Sequence, residues 1–161
     1  MTSLTNLGFT SKKLLSSKHS YKSHTHIPRK FTGICTIGNT IRYYKNGLLH
    51  CIDDAAIEDS DGNKFWYLNG ERHRINGPAI ESNGHKEWWV NGKLHRLNAP
   101  AIECVNGNKI WFINGEKHRT NGPAMECVDG TKYWCLHNKE YGKNNDFTIQ
   151  SWIHFQRTLL F

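Results

Sequence analysis

Four histidines recur at near-equal steps along this 161-residue chain: His50, His73, His95 and His118, with Tyr141 at the next equivalent position. An imidazole column invites a metal reading, because neutral histidine nitrogen is a common ligand for zinc and other transition metals. The spacing argues against it. If each copy supplies two strands, equivalent residues stand about 9–10 Å apart, twice the strand separation. Donor atoms on one zinc are only ~3–4 Å apart. Neighbouring histidines therefore cannot share an ion, and each is expected to hydrogen-bond within its own turn. Two charged columns run beside them: Arg74, Arg96 and Arg119, and Glu58, Glu81, Glu103 and Glu126. Paired carboxylates would suggest glycosidase chemistry. Acid and base roles need environments that drive two pKa values apart, whereas a column repeats one environment. A structural Arg–Glu ladder on a solvated face is expected instead.

The five cysteines, Cys35, Cys51, Cys104, Cys127 and Cys135, are odd in number and form no C-x-x-C pair. That favours neither a disulfide framework nor a structural zinc site. Cys104 and Cys127 are equivalent positions, too far apart for a disulfide. No nucleophile elbow, phosphate-binding loop, H-E-x-x-H or dinucleotide fingerprint occurs. The chain reads as a non-enzyme with no cofactor and no metal.

These columns need a repeating scaffold, and the sequence contains one. Trp66 to Glu81 (WYLNGERHRINGPAIE) recurs as Trp88 to Glu103 (WWVNGKLHRLNAPAIE) and as Trp111 to Glu126 (WFINGEKHRTNGPAME). A degenerate copy starts at Tyr43 and a truncated one at Trp134, with Trp-to-Trp steps of 22, 23 and 23 residues. Asn-Gly inside an aromatic, β-branched run is a hairpin signal, because a type I′ turn needs positive φ at both central residues. The Pro-Ala-Ile/Met-Glu segment reads as a strand with Pro at its start. Asp61-Gly62, Asn83-Gly84, Asn106-Gly107 and Asp129-Gly130 then turn the chain into the next copy. The expected fold is all-β, a meander of stacked β-hairpin repeats over 33–145.

The Trp-x-x-Asn-Gly-x-x-His pattern resembles the MORN repeat over roughly residues 38–145. MORN units have His-Gly-x-Gly where this chain has His-Arg-x-Asn-Gly-Pro-Ala, from His73 to Ala79 and His118 to Ala124. That variant is similar to uncharacterised repeat proteins of large DNA viruses and phages. The resemblance implies stacked hairpins, scaffolding and partner binding, sometimes membrane association, and no reaction.

Strand alternation puts Trp66, Trp88, Trp111 and Trp134 on one face, read as core. The opposite face carries Phe65, Tyr67, Trp89, Phe112 and Tyr133. Both faces look largely apolar, unlike a sheet with one wet side. The second row, with Arg74, Arg96 and Arg119, is the candidate surface for a protein partner, since aromatic residues and Arg are enriched at interfaces. The competing reading is that other segments of the chain cover it.

The net charge of +7 is concentrated at one end. Residues 1–32 hold six cations, Lys12, Lys13, Lys18, Lys22, Arg29 and Lys30, eleven Ser/Thr and no acid, whereas 33–161 are nearly balanced. This composition reads as a disordered basic arm. It is open to three roles: a solvated tail, phosphate contacts with nucleic acid, or an organelle transit segment. Residues 146–161 show helix spacing at Ile149, Trp152, Ile153 and Leu160, with Asp146 as the expected N-cap. Ile149, Ile153 and Phe155 also fit a strand. A helix there would cap the last repeat. No stretch is apolar enough for a transmembrane helix, and free thiols favour an intracellular setting, in a cytoplasm or, for a viral protein, the host cytoplasm or virion. Exposed sheet ends leave self-association open.

Overall fold

A computed structural model of the chain describes residues 27–159 and the backbone of Lys18–Ser20. The chain divides into two compact units, Met1–Glu71 and Arg72–Phe161. In both, strands follow one another as an antiparallel meander of hairpins, and one short helix, α1 (Ile149–Thr158), closes the chain.

In the first unit, Gly33–Ile37 pairs with Thr40–Lys45, which pairs in turn with Ile57–Glu58 and then Lys64–Phe65. Within the stretch read as a disordered arm, Lys18–Ser20 form a strand parallel to Gly33–Ile37. Pro28–Phe31 form a turn closed by the Phe31 N–H on the Pro28 carbonyl. That turn packs on the Asn46-Gly47 turn that follows Thr40–Lys45. The Gly47 N–H donates to the Phe31 carbonyl, and a Cβ on Gly47 would lie 2.6 Å from the Arg29 carbonyl oxygen. Only glycine fits there.

In the second unit the sheet runs Ile80–Ser82, His85–Glu87, Ile102–Glu103, Lys109–Ile110, Met125–Glu126, Lys132–Leu136 and Lys139–Lys143. Two turn geometries join the copies. Asn83 and Gly84 have φ of 47° and 82°, a two-residue type I′ turn. The turns at 104–108 and 127–131 are one residue longer. In each, a Cys N–H donates to the carbonyl four residues on, and Gly107 or Gly130 takes the positive φ. The extra residue accounts for the change of step from 22 to 23.

The aromatic run of each middle copy is two strands, not one. The Trp88 N–H donates to the Ala101 carbonyl, which keeps it in the main sheet. Its own carbonyl accepts from the His95 N–H, at the base of a separate hairpin (Trp89–Val90 with Lys93–Leu94). Trp111 divides the next copy in the same way, between Ala124 and His118. The sheet therefore has unlike faces. Register places Glu81, Lys86, Glu103, Lys109, Glu126 and Lys132 in one cross-strand row, and Ile80, Glu87, Ile102, Ile110, Met125 and Tyr133 in the other. The expectation of two apolar faces fails because the strand breaks at Trp.

Trp66, Trp111 and Trp134 are buried, and so are Ala79, Ala101 and Ala124, whose N–H groups donate to the adjacent strand. These alanines have no exposed surface, which suits the small residue after Pro. The last copy ends differently. Gly142 stands where Arg96 and Arg119 stand in earlier copies, and a Cβ there would come within 2.6 Å of the Phe147 ring. Phe147 and Trp152 take over the covering of Trp134, with ring centroids at 5.7 and 5.5 Å. Trp152, fully buried, donates its indole N–H to the Arg119 carbonyl. The N-cap of α1 is Thr148, not Asp146: Thr148 and Ser151 exchange backbone-to-hydroxyl bonds at 2.9 and 3.1 Å. Asp146 instead accepts from the Lys143 N–H, one turn earlier.

Candidate functional site

Each histidine reaches into the following copy rather than its own turn. Nδ1 of His50 lies 3.0 Å from Asn69 Oδ1, and Nδ1 of His73 and His95 lies 2.9 Å from Oδ1 of Asn91 and Asn114. The backbone N–H of each asparagine also points at the same nitrogen, at 3.1–3.2 Å. Nδ1 donates to Oδ1 or accepts from the N–H according to tautomer. These asparagines have φ of 49–53° and begin type I′ turns, so one residue supplies both the turn and the contact. The series stops at His118. His137 stands where the asparagine would, 4.3 Å from His118 between ring centroids, and pairs with Glu116 at 2.7 Å. His118 Nδ1 is buried without a partner. Burial and the neighbouring His137 lower its pKa, against a smaller upward pull from Glu116.

The arginines are also engaged within the fold. Nη1 of Arg74, Arg96 and Arg119 donates to the Pro carbonyl four residues on and to Glu81, Glu103 and Glu126, seven residues on, at 2.7–2.9 Å. Arg96 and Arg119 lie over Trp88 and Trp111, 3.6 and 3.8 Å from the ring centroids. The Arg–Glu pairs thus close within one copy, and Lys86, Lys109 and Lys132 stand opposite the glutamates across the strands.

The aromatic strip is split. Phe65 and Tyr67, in the first unit, lie in different strands. In the second unit Trp89 and Phe112 belong to hairpins and Tyr133 to the main sheet. All five are half-buried. Trp89 and Tyr133 lie on the apolar side of the sheet: the Trp89 indole donates to Glu87 at 2.6 Å, and Tyr133 pairs with Met125. Sequence reasoning missed Glu87, which also lies 2.8 Å from His85 Nε2. Its signal was an acid where other copies carry Phe65, Ile110 and Tyr133. Arg29 and Lys30 are exposed; Lys12, Lys13, Lys22 and the Lys18 side chain lie outside the described residues.

Sequence reasoning also missed a row of clefts on the Trp side of the second unit. The first, about 560 Å³, is lined by Arg74, Ile75, Trp88, Val90, Arg96 and Leu97 among others. The second, about 190 Å³, has the equivalent residues Arg96, Leu97, Trp111, Ile113, Arg119 and Thr120. The third, about 790 Å³, takes Thr120 from the copy Trp111–Glu126, Leu136 and Tyr141 from the last copy, and Ile153, Arg157 and Leu159 from the α1 segment. The chain matches no known protein-family model and no curated protein sequence. No helix among the described residues is long and apolar enough to cross a membrane.

Proposed function

We propose that this chain is a non-enzymatic, MORN-like repeat scaffold that binds a protein partner inside the cell. The observation that carries the reading is the division of labour among side chains. The histidine column is engaged in bonds between copies, and the arginine and glutamate columns in bonds within each copy. Trp89 and Phe112 in their hairpins and Tyr133 in the main sheet keep part of their surface in water, and aromatic surface of this kind suits a protein interface. Five free thiols suit a reducing compartment.

The test is replacement of Tyr67, Trp89 and Phe112 together by Ser. A variant that keeps its circular dichroism spectrum and loses the cross-linked partners of the wild type supports the strip as the contact surface. A variant that unfolds makes the strip core and removes this reading. A nucleic-acid role through residues 1–32 is the competing proposal, with exposed Arg29 and Lys30 in its favour. It requires affinity that falls with salt and with removal of those residues.

A further inference from the structure

The three clefts of the second unit recur with the copies. Ile75, Leu97 and Thr120 hold the same loop position in successive copies, and Val90, Ile113 and Leu136 hold the same hairpin position. Each copy adds two strands to the sheet, so equivalent clefts follow at about 9.4–9.8 Å, twice the strand separation. A polyproline II chain rises about 3.1 Å per residue with three residues per turn, so every third side chain returns to one face about 9.3 Å further on. The two periods agree within a few tenths of an ångström per step, and the two steps between three clefts accumulate little mismatch.

The walls match in chemistry as well. Ile75 and Leu97 are 78% and 67% exposed, the largest exposures of Ile and Leu in the described chain. These apolar ridges flank Trp88 and Trp111, whose rings lie under the Arg96 and Arg119 guanidinium groups. No Asp or Glu lines any of the three clefts. Arg74, Arg96, Arg119, Lys139 and Arg157 do. Among the described residues, Nη1 of Arg96 and Arg119 takes the glutamate and the Pro carbonyl, and Nη2 has no protein partner.

We propose that this row of clefts binds an extended, polyproline II segment of a partner protein, with an aliphatic side chain at every third position and acidic residues between. The proposal rests on the reading of the chain as a protein-binding scaffold and gives that partner a chemistry. It concerns the Trp side of the sheet, not the strip tested above.

The experiment is fluorescence anisotropy of the full chain with the labelled peptide Leu-Pro-Glu-Leu-Pro-Glu-Leu. Two controls are a period-four version, Leu-Pro-Glu-Glu-Leu-Pro-Glu-Glu-Leu, and a version with Lys for Glu. The expected result is binding at least tenfold tighter than either control, and at least tenfold weaker in Ile75→Glu and Leu97→Glu. Both residues are exposed, so these variants keep the fold, which circular dichroism checks. Equal binding of the period-four peptide, indifference to the Lys version, or indifference to Leu97→Glu overturns the proposal, as does no binding at all. Those results leave the Tyr67, Trp89 and Phe112 test unaffected, so the two readings fail separately.

Discussion

Nδ1 of His95 lies 2.9 Å from Oδ1 of Asn114, nineteen residues further along and one copy on. The contact is repeated at His73 and Asn91, eighteen residues apart. A turn asparagine in each copy thus holds the copy before it. The left-handed conformation suits Asn because its short polar side chain tolerates positive φ.

Asn91 therefore has two separable roles. Asn91→Gly keeps the turn and removes the side-chain contact, and should cost about 1 kcal/mol. Asn91→Ala adds the penalty of a left-handed Ala, about 1–2 kcal/mol more. Urea denaturation of the two variants checks the order. Equal losses would mean that the left-handed turn carries no penalty for Ala, and no loss in Asn91→Gly would mean that the histidine contact contributes nothing.

The last copy lacks its asparagine, and His137→Asn should restore it. The expected outcome is a gain of about 1 kcal/mol, less whatever the exposed His137–Glu116 pair contributes. Thermal unfolding reads this directly. A loss of stability would show that the His118–His137 contact is itself the better arrangement.

The pH dependence follows from His118. Burial, helped by His137, lowers its pKa below the ordinary histidine value of 6.5. The unfolded chain therefore takes up this proton first as pH falls. The contribution of His118 is constant above about pH 7, declines through the window just below 6.5 and levels off once the folded form is also protonated. His50, lowered by burial and Lys45, works in the same direction in the first unit. Replacing His118 by Asn should flatten part of the decline in denaturation midpoints between pH 7 and 5. An unchanged slope would assign the decline elsewhere.

Trp152 anchors the cap. It is fully buried against Trp134, Tyr141, Phe147 and Phe155, and its indole donates to Arg119. Trp152→Ala should cost about 3–5 kcal/mol. Trp152→Phe, which keeps an aromatic ring but loses the donor and part of the indole volume, should cost less, about 1–3 kcal/mol. Similar losses in both would show that a phenyl ring contributes nothing there and that the full indole is required.

Much of the fold was legible because its signals are local. Asn-Gly at 69–70, 91–92 and 114–115 marks positive φ, and the spacing of Ile149, Trp152 and Ile153 marks the cap helix. These preferences belong to a residue and its immediate neighbours. The Trp column was rightly read as core, although Trp88 is only half-buried.

The rest depends on partners distant in the chain. Whether Trp88 continues a strand or ends it was decided by where its N–H and C=O find partners, Ala101 in one direction and His95 in the other. That break gives the sheet one charged and one apolar row where alternation alone predicted two apolar faces. The histidines looked self-contained because their asparagine partners sit in another copy, and the clefts were invisible because each is walled by two copies at once. The repeat period and the turns were determined by the sequence alone, through local φ preference and side-chain size. Which copy each histidine serves was decided only by the tertiary structure, because the stacking of one copy on the next supplies the asparagine half of each His–Asn contact.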